Sequence, residues 1–496
     1  MNASISSRSS RFFLCLFSIA AFPSWIYGQT TAKETDAQAL QQQVDALKTQ
    51  IADLEDKIKN LTSTAPATPD TAGAQQAKGA DAQQGAKPSE AAKELKTEPT
   101  QGKATADHKT FSEDEEAAAR YDNVPLDPRY PNYFRLPGTR TFMRIGGYAK
   151  SDLTFDPRPA GDQERFIPAS IPIPAPLANV SNSTVSVRPS RINVDFLVPI
   201  EKERALRFFL EMDFFGSSST TPRLRHAYAQ GKNLLIGQTF SNFMDVDAGP
   251  DTLDFQGPNS WVSIRNPQVR YTHRFDKATT ASISVEKPSS DVAFQTPDFK
   301  AQPNSPSPDG TVQVRHEMSF GHVQFAGLFR DISAFLPDGR SDSVFGWGFN
   351  LAGLFKIAGK DALVYQGAYG NGIARYINDT SGLGIDAAVI SAQQPRLEAV
   401  PAIATYGGYQ HFWLPKLRSS AVFGFLQSEN TPAQVSSAFH RSEYGAVNLI
   451  WSPIASLSFG SEFLYGWRVN KDNSTGNAPR IQLSAKYNFM QMKSSK

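Results

Sequence analysis

Residues 457 to 467 read Leu-Ser-Phe-Gly-Ser-Glu-Phe-Leu-Tyr-Gly-Trp. Leu457, Phe459, Phe463, Tyr465 and Trp467 are large and apolar, and they alternate with small or polar Ser458, Gly460 and Glu462. Successive residues of a β-strand point to opposite faces, so this segment has one greasy face and one polar face. In a soluble sandwich the greasy face meets a second sheet. In a transmembrane barrel it meets lipid, and the polar face lines a lumen. Closure is also the only way strands can cross a bilayer, because it leaves no unpaired backbone edge.

The pattern recurs from Thr139 onward, at 141–155, 184–198, 205–215, 222–230, 232–240, 266–275, 279–287, 311–319, 321–331, 343–357, 361–371, 400–412, 416–427, 440–452, 455–468 and 479–489. These segments predict an all-β transmembrane barrel of about 16 antiparallel strands over 139–489, the size class that leaves an aqueous channel. The connections 156–183, 288–310 and 374–398 are long, whereas Pro415-Lys416 is tight. Long loops on one side and short turns on the other fit an outer-membrane barrel. Trp347, Tyr365, Tyr369, Trp413, Trp451, Tyr465 and Trp467 fall near strand ends, as two aromatic girdles at headgroup level require. The last strand, Ile481 to Phe489, resembles the terminal strand read by barrel-assembly machinery, but a tail, 490–496, follows it.

Beyond the N-terminus none of the 496 residues belongs to an apolar run of the roughly 20 residues that a spanning helix needs. Arg8 and Arg11, followed by the apolar run Phe12 to Phe22, predict a secretory signal over 1–28. The single cysteine, Cys15, falls inside that run, so the mature chain is expected to use neither disulfide nor thiolate chemistry. Export places the barrel in the outer membrane of a Gram-negative cell. Within 29–61, Leu40, Val44, Leu47, Ile51, Leu54, Ile58 and Leu61 recur at steps of three and four, an oligomeric coiled-coil seam expected in the periplasm. Its Val/Ile-then-Leu choice leans by itself toward a parallel dimer, and one helix packed on its own barrel is the alternative. Residues 62–138 are rich in Ala, Gln, Lys, Glu, Pro and Thr, the composition of a flexible linker.

The polar face is basic. Arg144 and Lys150 oppose Met143, Ile145 and Leu153; Arg207, Phe209, Glu211 and Asp213 oppose Phe208 and Leu210. Arg223 and Arg225 oppose Leu224 and Tyr228, Arg270 and Arg274 oppose Val269 and Tyr271, and Arg315 opposes Val314. From Arg129 to Lys496 there are 37 Lys and Arg against 30 Asp and Glu; the remaining 13 and 18 of the 50 and 48 precede it. Basic side chains on a narrow wall focus a positive potential, and the planar fork of Arg suits carboxylates. Small anionic solutes are the expected cargo. Pairing with Glu211, Asp213 and Glu317, which would brace the wall, is the competing role.

The alternation breaks between Ser241 and Asn266. This segment holds Asp245, Asp247, Asp251 and Asp254, with turns at Gly249-Pro250 and Gly257-Pro258. It reads as a constriction loop folded into the pore, its carboxylates facing the Arg wall. An external loop and a calcium site are the alternatives, and Asp-x-Asp at 245–247 is too common to support a metal by itself. No cofactor, metal or nucleic-acid site is expected.

Phe214-Phe215-Gly216, Arg223-Leu224-Arg225-His226-Ala227-Tyr228, Leu234 to Ser241, Phe243-Met244-Asp245, Thr252 to Pro258 and Asn266 to Tyr271 occur in that order. In this run the chain resembles the DcaP-like porins, trimeric outer-membrane porins with an N-terminal periplasmic coiled coil, associated with uptake of dicarboxylates and other small anions. The resemblance implies sixteen strands, a homotrimer in place of the dimer, pore-lining roles for Arg223, Arg225 and Arg270, and a constriction loop at 241–265. Two other classes compete. An enzyme needs a nucleophile with a base, and none of the 7 His lies in a catalytic motif. A structural tether would use the coiled coil and linker to grip peptidoglycan or a periplasmic partner, with the pore incidental.

Overall fold

The computed structural model describes residues 133–174, 180–201, 204–217, 220–292, 302–336, 339–390 and 396–489. The signal segment, the seam from Leu40 to Leu61, the linker as far as residue 132 and the tail from 490 lie outside the described residues. The sixteen alternating segments become sixteen strands. They are β1 (Phe142–Asp156), β2 in two pieces (Asn182–Ser186 and Arg191–Glu201), β3 (Arg204–Asp213), β4 (Arg223–Gly231), β5 (Leu234–Phe240), β6 (Arg265–Arg274), β7 (Thr279–Glu286), β8 (Asp309–Met318), β9 (Gly321–Phe335), β10 (Ser341–Lys356), β11 (Ala362–Asn371), β12 (Pro401–Leu414), β13 (Leu417–Ser428), β14 (Phe439–Ile454), β15 (Leu457–Asn470) and β16 (Thr475–Asn488). Each pairs antiparallel with the next, and β1 closes on β16 from Tyr148↔Asn488 to Phe155↔Ile481. Short turns such as 319–320, 415–416 and 455–456 lie at one end; the segments 157–181, 241–264, 287–308 and 372–400 leave from the other.

The distribution of polarity is inverted relative to a soluble protein. Leu153, Phe208, Ile283, Phe325, Leu351, Phe423, Leu449, Phe463 and Leu483 are exposed on the outside, while Lys150, Asp195, Arg207, Glu211, Gln366, Asn448, Glu462 and Arg480 are buried inside. Exposed Phe320, Trp413, Trp451, Phe459 and Tyr487 gather near the short turns; Trp347, Tyr369 and Trp467 lie toward the loop end.

Two irregularities shape the wall. Between the pieces of β2, residues 187–190 leave the ladder, which deprives Lys150 of backbone partners. The Ser190 hydroxyl supplies both, accepting from the Lys150 N–H at 2.9 Å and donating to its C=O at 3.1 Å. On β4, Glu211 pairs with His226 and Met212 with Leu224, so Arg225 is the extra residue of a bulge. Strict alternation put Tyr228 outside with Leu224. The bulge resets the parity, and Tyr228 is buried inside against Phe209, ring centroids 5.6 Å apart.

Gly147 sits at φ +135, and a Cβ there would lie 2.2 Å from the Arg191 C=O. Gly147→Ala should therefore strain the β1–β2 seam by about 1–3 kcal/mol. The folded, heat-modifiable band should convert to the unfolded band at a lower temperature in semi-native electrophoresis; an unchanged conversion temperature would show that the backbone relaxes there without cost.

Candidate functional site: the barrel interior

The segment 241–264 folds into the barrel and crosses to the far wall. A segment buried there must satisfy its backbone, and the inward side chains of the strands do so. Gln324 and Asn350 donate to the C=O of Met244 and Phe243, and the Tyr406 hydroxyl donates to Ala248. Asn448 donates to Asp251, and Glu462 accepts from the N–H groups of Leu253 and Asp254 at 2.8 and 2.9 Å. Gln366 accepts from Val262 and donates to Ser260, holding the returning chain. Phe243, Trp261 and Val262 then pack with Leu328, Val364, Tyr376 and Ile377 in the largest apolar cluster.

Two further segments join it. Residues 372–386 run beside 259–263, with backbone bonds from Ser263 to Tyr376, Asn378 to Trp261 and Asp379 to Asn259. Residues 157–171 are tied through Phe166 N–H to Asp254 (2.9 Å) and Ala169 N–H to Asp379 (2.9 Å).

Between these loops and the strand wall β1–β6 lies a cavity of about 590 Å³. Arg191, Arg223, Arg225 and Arg265 line it on the strand side, and Asp162, Glu164, Asp254 and Asp379 on the loop side. Arg223 meets Asp213 at 2.6 Å, and Arg225 bridges Glu211 and Asp213, each at 3.0 Å. Arg191 lies 3.9 Å from Glu211 and over the Phe255 ring. Asp162 pairs with Arg165, and Glu164 with Arg188. Asp254 and Asp379 have no ion pair among the described residues. Both belong to loops rather than strands. Burial pushes the Asp254 carboxyl up to about 6, against Arg480 and two backbone N–H groups, and that of Asp379 up to about 7, against the Ala169 N–H.

Of the eight basic residues singled out in the sequence, Arg223 and Arg225 line this cavity. Arg144 and Arg207 converge on Asp195 at 3.0 and 2.8 Å. Lys150 is buried against Asp152 and donates to the Leu253 C=O. Arg270 donates to Gln268 and to the Phe240 C=O, Arg274 is exposed at the strand end, and Arg315 clasps Asp245, Asp247 and Glu317. Of the four loop aspartates, Asp254 lines the cavity; Asp245 also meets His322 at 2.8 Å, and Asp251 meets Arg418 at 2.6 Å. Arg191 was missed although Arg191, Asn193 and Asp195 alternate legibly with Ile192 and Val194. Arg165, Arg265 and Asp379 carried no such signal, since the first and last sit on loops and Arg265 at a strand boundary.

A closed barrel, apolar outside and polar within, whose lumen is narrowed by an inward-folded segment, has the architecture of an outer-membrane porin. The signature of the DcaP outer membrane protein family matches residues 139–489, and the chain belongs to that family. The outer membrane channel DcaP of Acinetobacter baumannii has the same fold, with a TM-score of 0.63 and 23% identity over 72% of this chain and 99% of that one. An anion-selective porin from Comamonas acidovorans (TM-score 0.49, 8% identity, 70% of this chain and 100% of that one) is more distant. So is OmpT of Vibrio cholerae (TM-score 0.45, 12% identity, 71% and 99%). No curated protein is significantly similar to the chain.

Arg315→Gln removes the cation that holds Asp245 and Asp247, leaving His322 as the partner of Asp245. Single-channel conductance should rise and its noise increase as the segment loosens. Unchanged conductance would show that the backbone bonds to Gln324, Asn350, Gln366 and Glu462 suffice. A second expectation concerns pH. Lowering it through 7 to 5 protonates Asp379 and then Asp254, removing negative charge from the loop wall. Anion over cation permeability, read from the reversal potential in a salt gradient, should increase over that window; a flat profile would show that these carboxyls do not face the permeating ions.

Proposed function

We propose that this outer-membrane channel passes small hydrophilic solutes by passive diffusion, and that it prefers anions, dicarboxylates among them. The observation that carries this reading is the convergence of Arg191, Arg223, Arg225 and Arg265 on one wall of the cavity, with Glu211 and Asp213 as their carboxylate partners. Such a wall in a narrow, low-dielectric passage concentrates anions and repels cations. Guanidinium forks bind a carboxylate as it sheds part of its hydration.

The working unit is a homotrimer. In its support, β5 has 7 residues and β7 has 8. A tilted strand of 7 residues spans only about 18 Å, less than the apolar band of roughly 25 Å. The neighbouring β4 turns small Ala227, Ala229 and Gly231 outward, a low wall that a second copy can cover. The seam at Leu40 to Leu61 clamps the three chains on the periplasmic side.

Arg223→Gln together with Arg225→Gln keeps hydrogen bonding and removes two charges. A carboxylate about 4 Å from one guanidinium gains roughly 1 to 4 kcal/mol, depending on local dielectric. Anion over cation permeability and succinate block of the ion current should both fall, and high salt should shrink the difference. Wild-type selectivity in the double variant would mean that these residues only brace the wall. For assembly, Ile51→Asp places a charge in the seam, where desolvation is costly. The trimer should then dissociate at a lower temperature; an unchanged trimer would assign its stability to the barrels alone.

A further inference from the structure

The segment that crosses the lumen makes a tight turn at Asp254-Phe255-Gln256-Gly257. Asp first and Gly fourth suit such a turn, and the Gly257 N–H closes it on the Asp254 C=O at 3.0 Å. The residues at its start are fixed to the strands. Glu462 accepts from the N–H groups of Leu253 and Asp254, and the Leu253 C=O accepts from Lys150 at 2.9 Å and from Gln482 at 3.1 Å. The Leu253 side chain lies over Gly460, 2.8 Å from where a Cβ would stand. Phe255 occupies the corner of this anchored turn. Thr252, Leu253 and Asp254 are buried, whereas Phe255 is partly exposed and lines the cavity. Its ring is clamped. Tyr148 meets it edge-on, with centroids 6.0 Å apart and planes at 83°. The Lys150 ammonium lies 4.3 Å from the ring centroid and the Arg191 guanidinium 5.5 Å from it. Lys150 is itself tied to Asp152, which fixes one side of the clamp.

We propose that the Phe255 ring is the size gauge of the passage: it sets the cross-section a solute must fit, so that slender, unbranched carboxylates pass and branched ones of equal charge are held back. The inference rests on the cavity being the constriction of the anion-preferring channel, and it adds the residue that limits the shape of the solutes. A charged side chain makes a poor gauge, because its flexible stem moves aside and its charge draws the solute in. A clamped ring has little torsional freedom and yields only by giving up its contacts with Tyr148, Lys150 and Arg191. The phenyl edge offers no conventional hydrogen bond, so it discriminates by volume. Phe255 stands on the loop, whereas Arg223 and Arg225 stand on β4, so size and charge can be altered separately.

The experiment is a size series at this position, Phe255→Ala, Phe255→Leu and Phe255→Trp, in the full-length channel in planar bilayers. Two quantities are read. One is the largest polyethylene glycol that enters the pore and lowers its conductance. The other is the permeability of dimethylsuccinate, branched at one carbon, relative to succinate, taken from reversal potentials. Both should rise in the order Trp, Phe, Leu, Ala, with conductance in the same order. An exclusion limit and a permeability ratio that stay at the wild-type values in the Ala and Trp variants overturn the proposal. A shift in one direction for all three variants, whatever their size, together with a noisier current, also overturns it, because Phe255 would then only brace the loop. Arg223→Gln with Arg225→Gln separates the underlying reading. If that double variant loses anion preference while the Phe255 series is flat, the anion channel stands and the gauge falls. If the double variant keeps wild-type selectivity while the Phe255 series is graded, the gauge stands and the arginine reading falls.

Discussion

A segment of 24 residues cannot lie inside a membrane barrel unless its backbone is hydrogen-bonded throughout, and the interior of this barrel is organised around that requirement. Each unsatisfied N–H or C=O buried away from water costs about 1–3 kcal/mol. The strands meet the demand with side chains of fixed reach: Gln324, Asn350, Gln366, Tyr406, Asn448 and Glu462 each bond a loop N–H or C=O. Such a carboxamide presents a donor and an acceptor on one head, which is why Gln366 can take Val262 N–H and give to Ser260 C=O. These inward positions of β9–β15 are therefore polar for a structural reason before any solute is considered.

The same economy governs the charges. Arg207 with Asp195, Arg480 with Asp156, and Arg330 with Asp309 and Asp386 are pairs of buried groups. In such surroundings an ion without a partner is expensive, and removing one member of a buried pair typically costs about 3–5 kcal/mol. A basic wall is thus not automatically a selective one; most of its arginines are held by carboxylates on neighbouring strands. The guanidinium groups that line the cavity from the strands are those of Arg191, Arg223, Arg225 and Arg265, and Asp254 and Asp379 are among the carboxylates on the loops opposite.

The strands were legible in the sequence because period-two alternation needs only local information, and all sixteen segments correspond to strands. Parity failed at one point, Tyr228, where the bulge at Arg225 inserts a residue that alternation cannot foresee. The inward course of 241–264 was readable from the break in alternation and from resemblance, but the partners of its aspartates were not. Asp251 meets Arg418 across 167 positions, and Asp245 meets Arg315 across 70. Which aspartate faces the cavity and which anchors the loop depends on tertiary neighbours. Asp379 was invisible for the same reason: an acid in a Gly-containing loop acquires meaning only when 372–386 docks beside 259–263.

Strands and loops consequently carry separable tasks. The strand wall has little freedom, since changing an inward residue of β3 or β4 also changes an ion pair or a bulge that sets the register. The loop wall is less constrained. Its carboxylates are held by main-chain N–H groups, Phe166 and Ala169 among them, and a main-chain donor is present whatever side chain that residue carries. Replacing an acid there with its amide removes the charge but keeps an oxygen to accept those N–H groups. A barrel built this way can change the charge lining its cavity at loop positions, with the strand register and the membrane-facing surface left intact.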